Sequence, residues 1–136
     1  MPKYPYYILP GRGRPVYKPI IKATLNYRKT HKVTVPISAL IDSGADVCFC
    51  LTDIGDWLGI QFKGKKGPEV FTAANGSQFR AWQENVTLFA CGKNYNCFFF
   101  FTEVLPRETP IILGQFGFFD HFKITFDIKK KEIEIN

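Results

Sequence analysis

The chain has 136 residues, 46% of them apolar and 16% aromatic, with a formal net charge of +6. This length suits one domain with a real core, and the composition excludes a disordered or low-complexity chain. No apolar run approaches the roughly 18 residues of a membrane-spanning helix, so no membrane span is expected.

The charge is unevenly placed. Residues 1–41 carry eight Lys or Arg and no Asp or Glu, whereas the remainder has 10 basic and 12 acidic residues. Five of the nine prolines fall in residues 1–19, with Gly11 and Gly13 among them. These residues predict an irregular basic arm over 1–19 and a folded domain over 20–136. The arm is either a solvated tail or a contact for an acidic partner; nucleic acid is not expected as that partner. The opening "MPKYPYYILPGRGRP" lacks the apolar region of a secretory signal, so the expected compartment is cytoplasmic.

Beyond the arm, "IIKATLNY" (20–27) and "HKVTVPISALI" (31–41) read as strands joined by "RKT". Asp42 to Ala45 reads as a loop, and "DVCFC" (46–50) as another strand. Thr52 is an expected helix N-cap for "DIGDWL", and Gly59 an expected stop. "EVFTAANGSQFRAW" (69–82) is a hairpin pattern centred on Asn75-Gly76, the preferred pair for a type I′ turn, where both residues take positive φ. "VTLFAC" and "CFFFFTEV" predict a second strand pair. "PIIL" is a short buried strand broken by Gly114; "GFFDHF" suits a short helix, and "KITFDI" and "EIEI" close the chain as a hairpin across "KKK". Many strands, two short helices and no βαβ spacing predict an all-β, closed, mostly antiparallel barrel.

The four cysteines, Cys48, Cys50, Cys91 and Cys97, fit no common zinc spacing. Free buried thiols are the expectation in a reducing compartment. Cys91 and Cys97 flank "GKNYN", read as a turn, which leaves a disulfide between them open.

One stretch asks for explanation: "ALIDSGAD", where Asp42 follows an apolar run and precedes Gly44. It resembles the active-site loop of retropepsin-like aspartic proteases. "PIILGQFGFF", about seventy residues on, resembles that family's second signature, and the Asn-Gly hairpin falls where the family has its flap. The ordered set spans residues 20–128 and is more specific than the tripeptide alone. The resemblance implies a retropepsin-like acid-protease barrel acting as an aspartic endopeptidase, without metal or organic cofactor. Two carboxylates must share one water. At a separation of about 4 Å and an effective dielectric near 20, two negative charges repel by roughly 4 kcal/mol. That is about three pKa units, so one carboxyl keeps its proton while the other acts as base, the established behaviour of aspartic proteases. Only one Asp-Ser-Gly is present, so the second carboxylate is expected from a second chain, in a homodimer acting on a peptide.

The resemblance assigns Asp42, Ser43 and Gly44 to catalysis. Ala45, Asp46 and the flap residues Ala74, Asn75, Gly76 and Ser77 fall to substrate binding, and Ile112, Leu113 and Gly114 to a structural turn. Two departures stand out. Gln115 takes the place where many retroviral members have arginine, so Asp46 either pairs with Arg12 or Arg14 or stays solvated. The ending is also longer than a simple terminal interface strand. Two other readings stand beside this one. A serine hydrolase with Ser43 and His31 or His121 lacks the G-x-S-x-G elbow. A catalytically silent dimerisation or peptide-binding module is the stronger alternative, and nothing in the loop residues disables catalysis.

Overall fold

The computed structural model describes residues 2–136. Thirteen strands carry the fold: β1 (Lys3–Pro5), β2 (Tyr7–Leu9), β3 (Val16–Lys18), β4 (Ile20–Tyr27), β5 (Lys32–Val33), β6 (Ile37–Ile41), β7 (Cys48–Leu51), β8 (Glu69–Thr72), β9 (Gln78–Ala90), β10 (Lys93–Thr102), β11 (Ile111–Leu113), β12 (Ile124–Asp127) and β13 (Glu132–Ile135). Helix α1 (Thr52–Leu58) follows β7, and a single 3-10 turn covers Phe119–His121.

Six strands close the barrel in the order β4–β6–β11–β7–β10–β9, and β9 returns to β4 through Thr24–Phe89, Leu25–Leu88 and Asn26–Thr87. Most pairings are antiparallel; β6–β11 and β7–β10 are parallel. Alternation sends one side of each strand inward. Along β4, Ile21, Ala23, Leu25 and Tyr27 are buried, and along β10, Cys97, Phe99 and Phe101. These fill the main core, closed below by Ile133 and Ile135 of β13. A smaller apolar cluster of Phe49, Ala81, Phe100 and Ile112 lies outside it, under the β8–β9 hairpin. No helix of the described residues is long and apolar enough to cross a membrane.

The expected strand over 31–41 is two strands. Pairing with β4 slips by one residue between Asn26–Val33 and Ala23–Ile37. Pro36, in the gap, has no N–H for a ladder. Thr34 bridges the slip: its N–H donates to the Leu25 carbonyl at 2.9 Å and its Oγ1 accepts the Leu25 N–H at 3.0 Å. Thr52 is the first residue of α1 rather than its cap; Leu51 holds the cap position with no side-chain bond, and Gly59 ends the helix at φ 89° as expected.

The primed turn is not at Asn75-Gly76. Only Gly76 has positive φ there, at 86°. Gly76 N–H donates to the Ala73 carbonyl and Ala73 N–H to the Ser77 carbonyl, giving a three-residue loop of type I turn plus bulge. The two-residue turn belongs to Cys91-Gly92, where φ is 52° and 78° and Ala90 faces Lys93. "KNYN" is therefore strand, Cys97 lies opposite Val86 rather than Cys91, and all four cysteines are free thiols.

The arm is not irregular. β1 pairs with β13, which pairs with β12, in a three-stranded sheet built wholly within the chain. β2 and β3 make a separate ribbon.

Candidate active site

Residues 42–46 leave β6 at the point where β6 and β11 run parallel, Ala39 beside Ile111 and Ile41 beside Leu113. The ladder's last bond is from Asp42 N–H to the Leu113 carbonyl, 2.9 Å. The chain then turns, with Ala45 N–H donating to the Asp42 carbonyl at 3.1 Å. Gly44 N–H donates to Asp42 Oδ1 at 2.9 Å. A half-buried carboxylate is thus fixed at the end of a core strand, with one oxygen held by a backbone donor. The cost of partial desolvation is offset by that bond.

Gly114 explains how two loops fit side by side. A Cβ there would strike the Val47 carbonyl oxygen and lie 2.6 Å from that of Ala45. With no side chain in the way, Gln115 N–H donates to the Ala45 carbonyl at 2.8 Å and Phe116 N–H to that of Asp46 at 2.9 Å. The turn after β11 therefore runs alongside the Asp42 loop. Gln115 adds a tie the sequence did not reveal: its Nε2 donates to the Ser43 carbonyl at 2.7 Å. The amide stands where arginine was the alternative, and it bonds backbone instead of a carboxylate. Asp46 is exposed and has no ion-pair partner among the described residues. Within the chain, neither Arg12 nor Arg14 pairs with it.

Above the loop, the β8–β9 hairpin roofs a cleft of about 280 Å³. Asp42, Gly44, Ala45 and Asp46 line its floor, and Thr72, Ala73 and Ala74 its roof. Phe49, Phe71, Phe79, Leu105 and Ile112 form apolar walls. Phe71 and Phe79 are cross-strand partners, stacked with centroids 5.7 Å apart, and Phe49 meets Phe71 edge-on at 5.0 Å. Such contacts hold the hairpin base down. The sequence reading missed these walls; the only signal was the symmetry of Phe71 and Phe79 about Asn75.

Among the hairpin residues named from sequence, Ala74 lines the cleft, while Asn75, Gly76 and Ser77 are at the exposed tip and do not. Asn75 Oδ1 accepts both Ser77 N–H at 2.9 Å and Ser77 Oγ–H at 2.6 Å, which stiffens the tip. Neither histidine serves Ser43. His31 sits in the β4–β5 turn, its N–H donating to Tyr27, and His121 stacks on Tyr95 at 3.8 Å. Cys48 lies beneath the turn after β11 and accepts Gly114 N–H at 3.4 Å. A hydrogen bond with Cys48, together with burial, drives the Cys97 thiol far above its ordinary range, so Cys97 stays protonated.

A closed six-stranded barrel, an Asp loop braced by an apolar-apolar-Gly turn and a hairpin roofing the cleft define the retropepsin-like fold. A retropepsin-like aspartic protease from Rickettsia conorii superposes with a TM-score of 0.61 at 18% identity, over 86% of this chain and 89% of that one. The EIAV protease, solved with the inhibitor HBY-793, gives 0.53 at 20% identity, over 72% and 82%. No family model matches the sequence, and no curated protein matches it.

Proposed function

We propose that this chain is an aspartic endopeptidase that works as a homodimer, with Asp42 of two copies facing each other across a two-fold axis. The observation that carries this reading is the Asp42 carboxylate on the floor of a roofed cleft, one oxygen held by Gly44 N–H at 2.9 Å. One barrel supplies one such carboxylate, and the chemistry needs two.

In this reading the ionised Asp42 takes a proton from the shared water, whose oxygen attacks the peptide carbonyl carbon. The protonated Asp42 gives its proton to the carbonyl oxygen. The resulting gem-diol collapses: one hydroxyl returns a proton to the second Asp42, the C–N bond breaks, and the nitrogen leaves with the proton first removed from water, which restores the starting pair. Ser43 and Gly44 hold the pair in place. Asp46 and the hairpin backbone at Ala73 and Ala74 engage an extended peptide as an added strand, and the tip of Asn75, Gly76 and Ser77 closes over it. The Phe49, Phe71 and Phe79 walls favour apolar side chains beside the cut.

The test is cleavage of a mixed peptide library by wild type and Asp42→Asn, with mass in solution measured for both. The expected result is a dimer in each case, and cleavage by wild type only, with a bell-shaped pH profile. Equal cleavage by both proteins ends the proposal. Peptide binding without cleavage in wild type identifies the silent module instead.

A further inference from the structure

The cleft does not end at its apolar walls. Leu105 also lines a second space, of about 290 Å³, between the start of α1 and the loop after β10. Phe49 and Leu51, two apart on β7 and so on one face of the strand, line the cleft and this pocket respectively. The chemistry changes across that boundary. Asp53, Asp56 and Glu103 line the pocket, and Arg107 is the one cation among its described lining residues. Arg107 already pairs with Asp53 at 3.7 Å, whereas Asp56 and Glu103 are exposed and have no ion-pair partner among the described residues. Three carboxylates against one guanidinium give the pocket a formal charge of −2, in a chain of +6.

Thr52 is an independent sign of a ligand. It is 8% exposed, lines the pocket, and makes no side-chain hydrogen bond to any described residue. A hydroxyl so enclosed ordinarily has a partner. Leu51, also 8% exposed, and Leu105 lay an apolar floor beside it. An apolar floor leading to unpaired carboxylates and a spare acceptor fits a long side chain with an aliphatic stem and a cationic head. Register gives the distance from the chemistry. β7 begins at Cys48, beneath the turn that braces the Asp42 loop, and runs to Leu51. At about 3.3 Å per residue that run covers about 10 Å, and an extended peptide advances at the same rate. A side chain about three or four positions from the cut therefore reaches the pocket.

We propose that this pocket is an outer subsite of the cleft that takes a lysine or arginine side chain of the bound peptide. The stem lies on Leu51 and Leu105, and the cationic head donates to Asp56, Glu103 and the Thr52 hydroxyl. The proposal rests on the reading of the cleft as a peptide site. Two copies of the chain place one such pocket on each side of the cut, so the substrate is apolar at the cut and basic further out.

The test uses the full chain and three peptides that share an apolar cleavage sequence and carry Lys, Ala or Glu at the outer positions. Cleavage is read as kcat/KM. Binding is read separately, by fluorescence anisotropy of dye-labelled peptides on Asp42→Asn protein. Exposed ion pairs are individually weak, so wild type is expected to prefer Lys over Ala by about fivefold at low salt, less as salt is added. Asp56→Asn/Glu103→Gln is expected to show no preference among the peptides. The charge swap Asp56→Lys/Glu103→Lys, which changes only exposed side chains, is expected to reverse the order and favour the Glu peptide. Cleavage with the same peptide order in wild type and the charge swap overturns the subsite and leaves the endopeptidase standing. Binding that follows charge and reverses with the swap, without cleavage by any Asp42 protein, supports the subsite and overturns the endopeptidase. Neither cleavage nor charge-dependent binding overturns both.

Discussion

Replacing Gly114 with alanine tests whether the Asp42 loop depends on the turn beside it. The added Cβ would meet the carbonyl oxygens of Val47 and Ala45, the latter at 2.6 Å, with the Val47 carbonyl carbon at 2.7 Å. These are backbone atoms in a hydrogen-bonded run, so no side chain can swing aside. Overpacking a tight interior costs about 1–3 kcal/mol. Relief requires the two runs to separate, which stretches the Gln115–Ala45 and Phe116–Asp46 bonds of 2.8 and 2.9 Å. Each is worth about 0.5–1.5 kcal/mol. The expected loss is therefore about 2–6 kcal/mol, a large share of the roughly 5–15 kcal/mol that holds a domain of this kind together. Urea unfolding followed by circular dichroism, at one fixed protein concentration, measures it directly. Gly44→Ala is the control. Its Cβ meets only Asp42 Oδ1, at 3.2 Å, so it should cost less than about 1 kcal/mol while disturbing the carboxylate and any cleavage. A Gly114→Ala protein within about 1 kcal/mol of wild type refutes the argument that this close approach builds the site.

Three further outcomes are expected. Gln115→Ala removes the donor to Ser43 and should cost about 1 kcal/mol and lower cleavage several-fold. Gln115→Glu, which cannot donate, should not rescue it, and full activity in either variant rejects the tether. Cys91 is half-buried whereas Cys48 and Cys50 are 0% and Cys97 3% exposed. A thiol reagent should therefore modify one cysteine of the native chain quickly and all four only in denaturant; no fast thiol, or three or more, contradicts the packing. Burial raises the Cys50 and Cys91 thiols, and burial with a Cys91 hydrogen bond pushes the Tyr4 phenol up to about 12. The folded chain then keeps protons that the unfolded chain releases above the ordinary cysteine value of 9.0, so stability is full below that pH and falls as pH rises through it. For Cys50 alone the loss at pH 10 is about 1.4 kcal/mol. A urea midpoint that does not move between pH 8 and pH 10 contradicts it.

The parts of the fold legible in the sequence are those whose signal lies within a few residues. The strand at 20–27 is recovered to the residue because its alternation is uninterrupted. The Asp42 loop is legible because a carboxylate and a glycine after an apolar strand make little sense without a task. What stayed hidden depends on partners far along the chain. Lys3–Pro5 has no strand pattern of its own; it is a strand because Glu132–Glu134 offers an edge. Asn75-Gly76 is a good primed turn by local chemistry, yet Thr72 pairs with Gln78 and Ala73 bonds Ser77, which leaves three residues to close rather than two, and a bulged loop results.

Cys91-Gly92 illustrates the same rule from the other side. Cysteine is an unusual residue at φ 52°, and nothing nearby asks for a turn there. Nine consecutive pairings from Lys93–Ala90 to Phe101–Trp82 set the register, and that register leaves two residues for the connection. Long-range pairing outweighs a local strain of about 1 kcal/mol. The site obeys the same hierarchy. Ser43 is held by Gln115 across 72 positions of sequence, and Asp42 by Leu113 across a parallel ladder, so its geometry is set by β11 as much as by the motif itself. A variant that preserves every residue from 38 to 50 but displaces β11 should therefore lose the Asp42 geometry, whereas the motif grafted onto another strand end should not reproduce it.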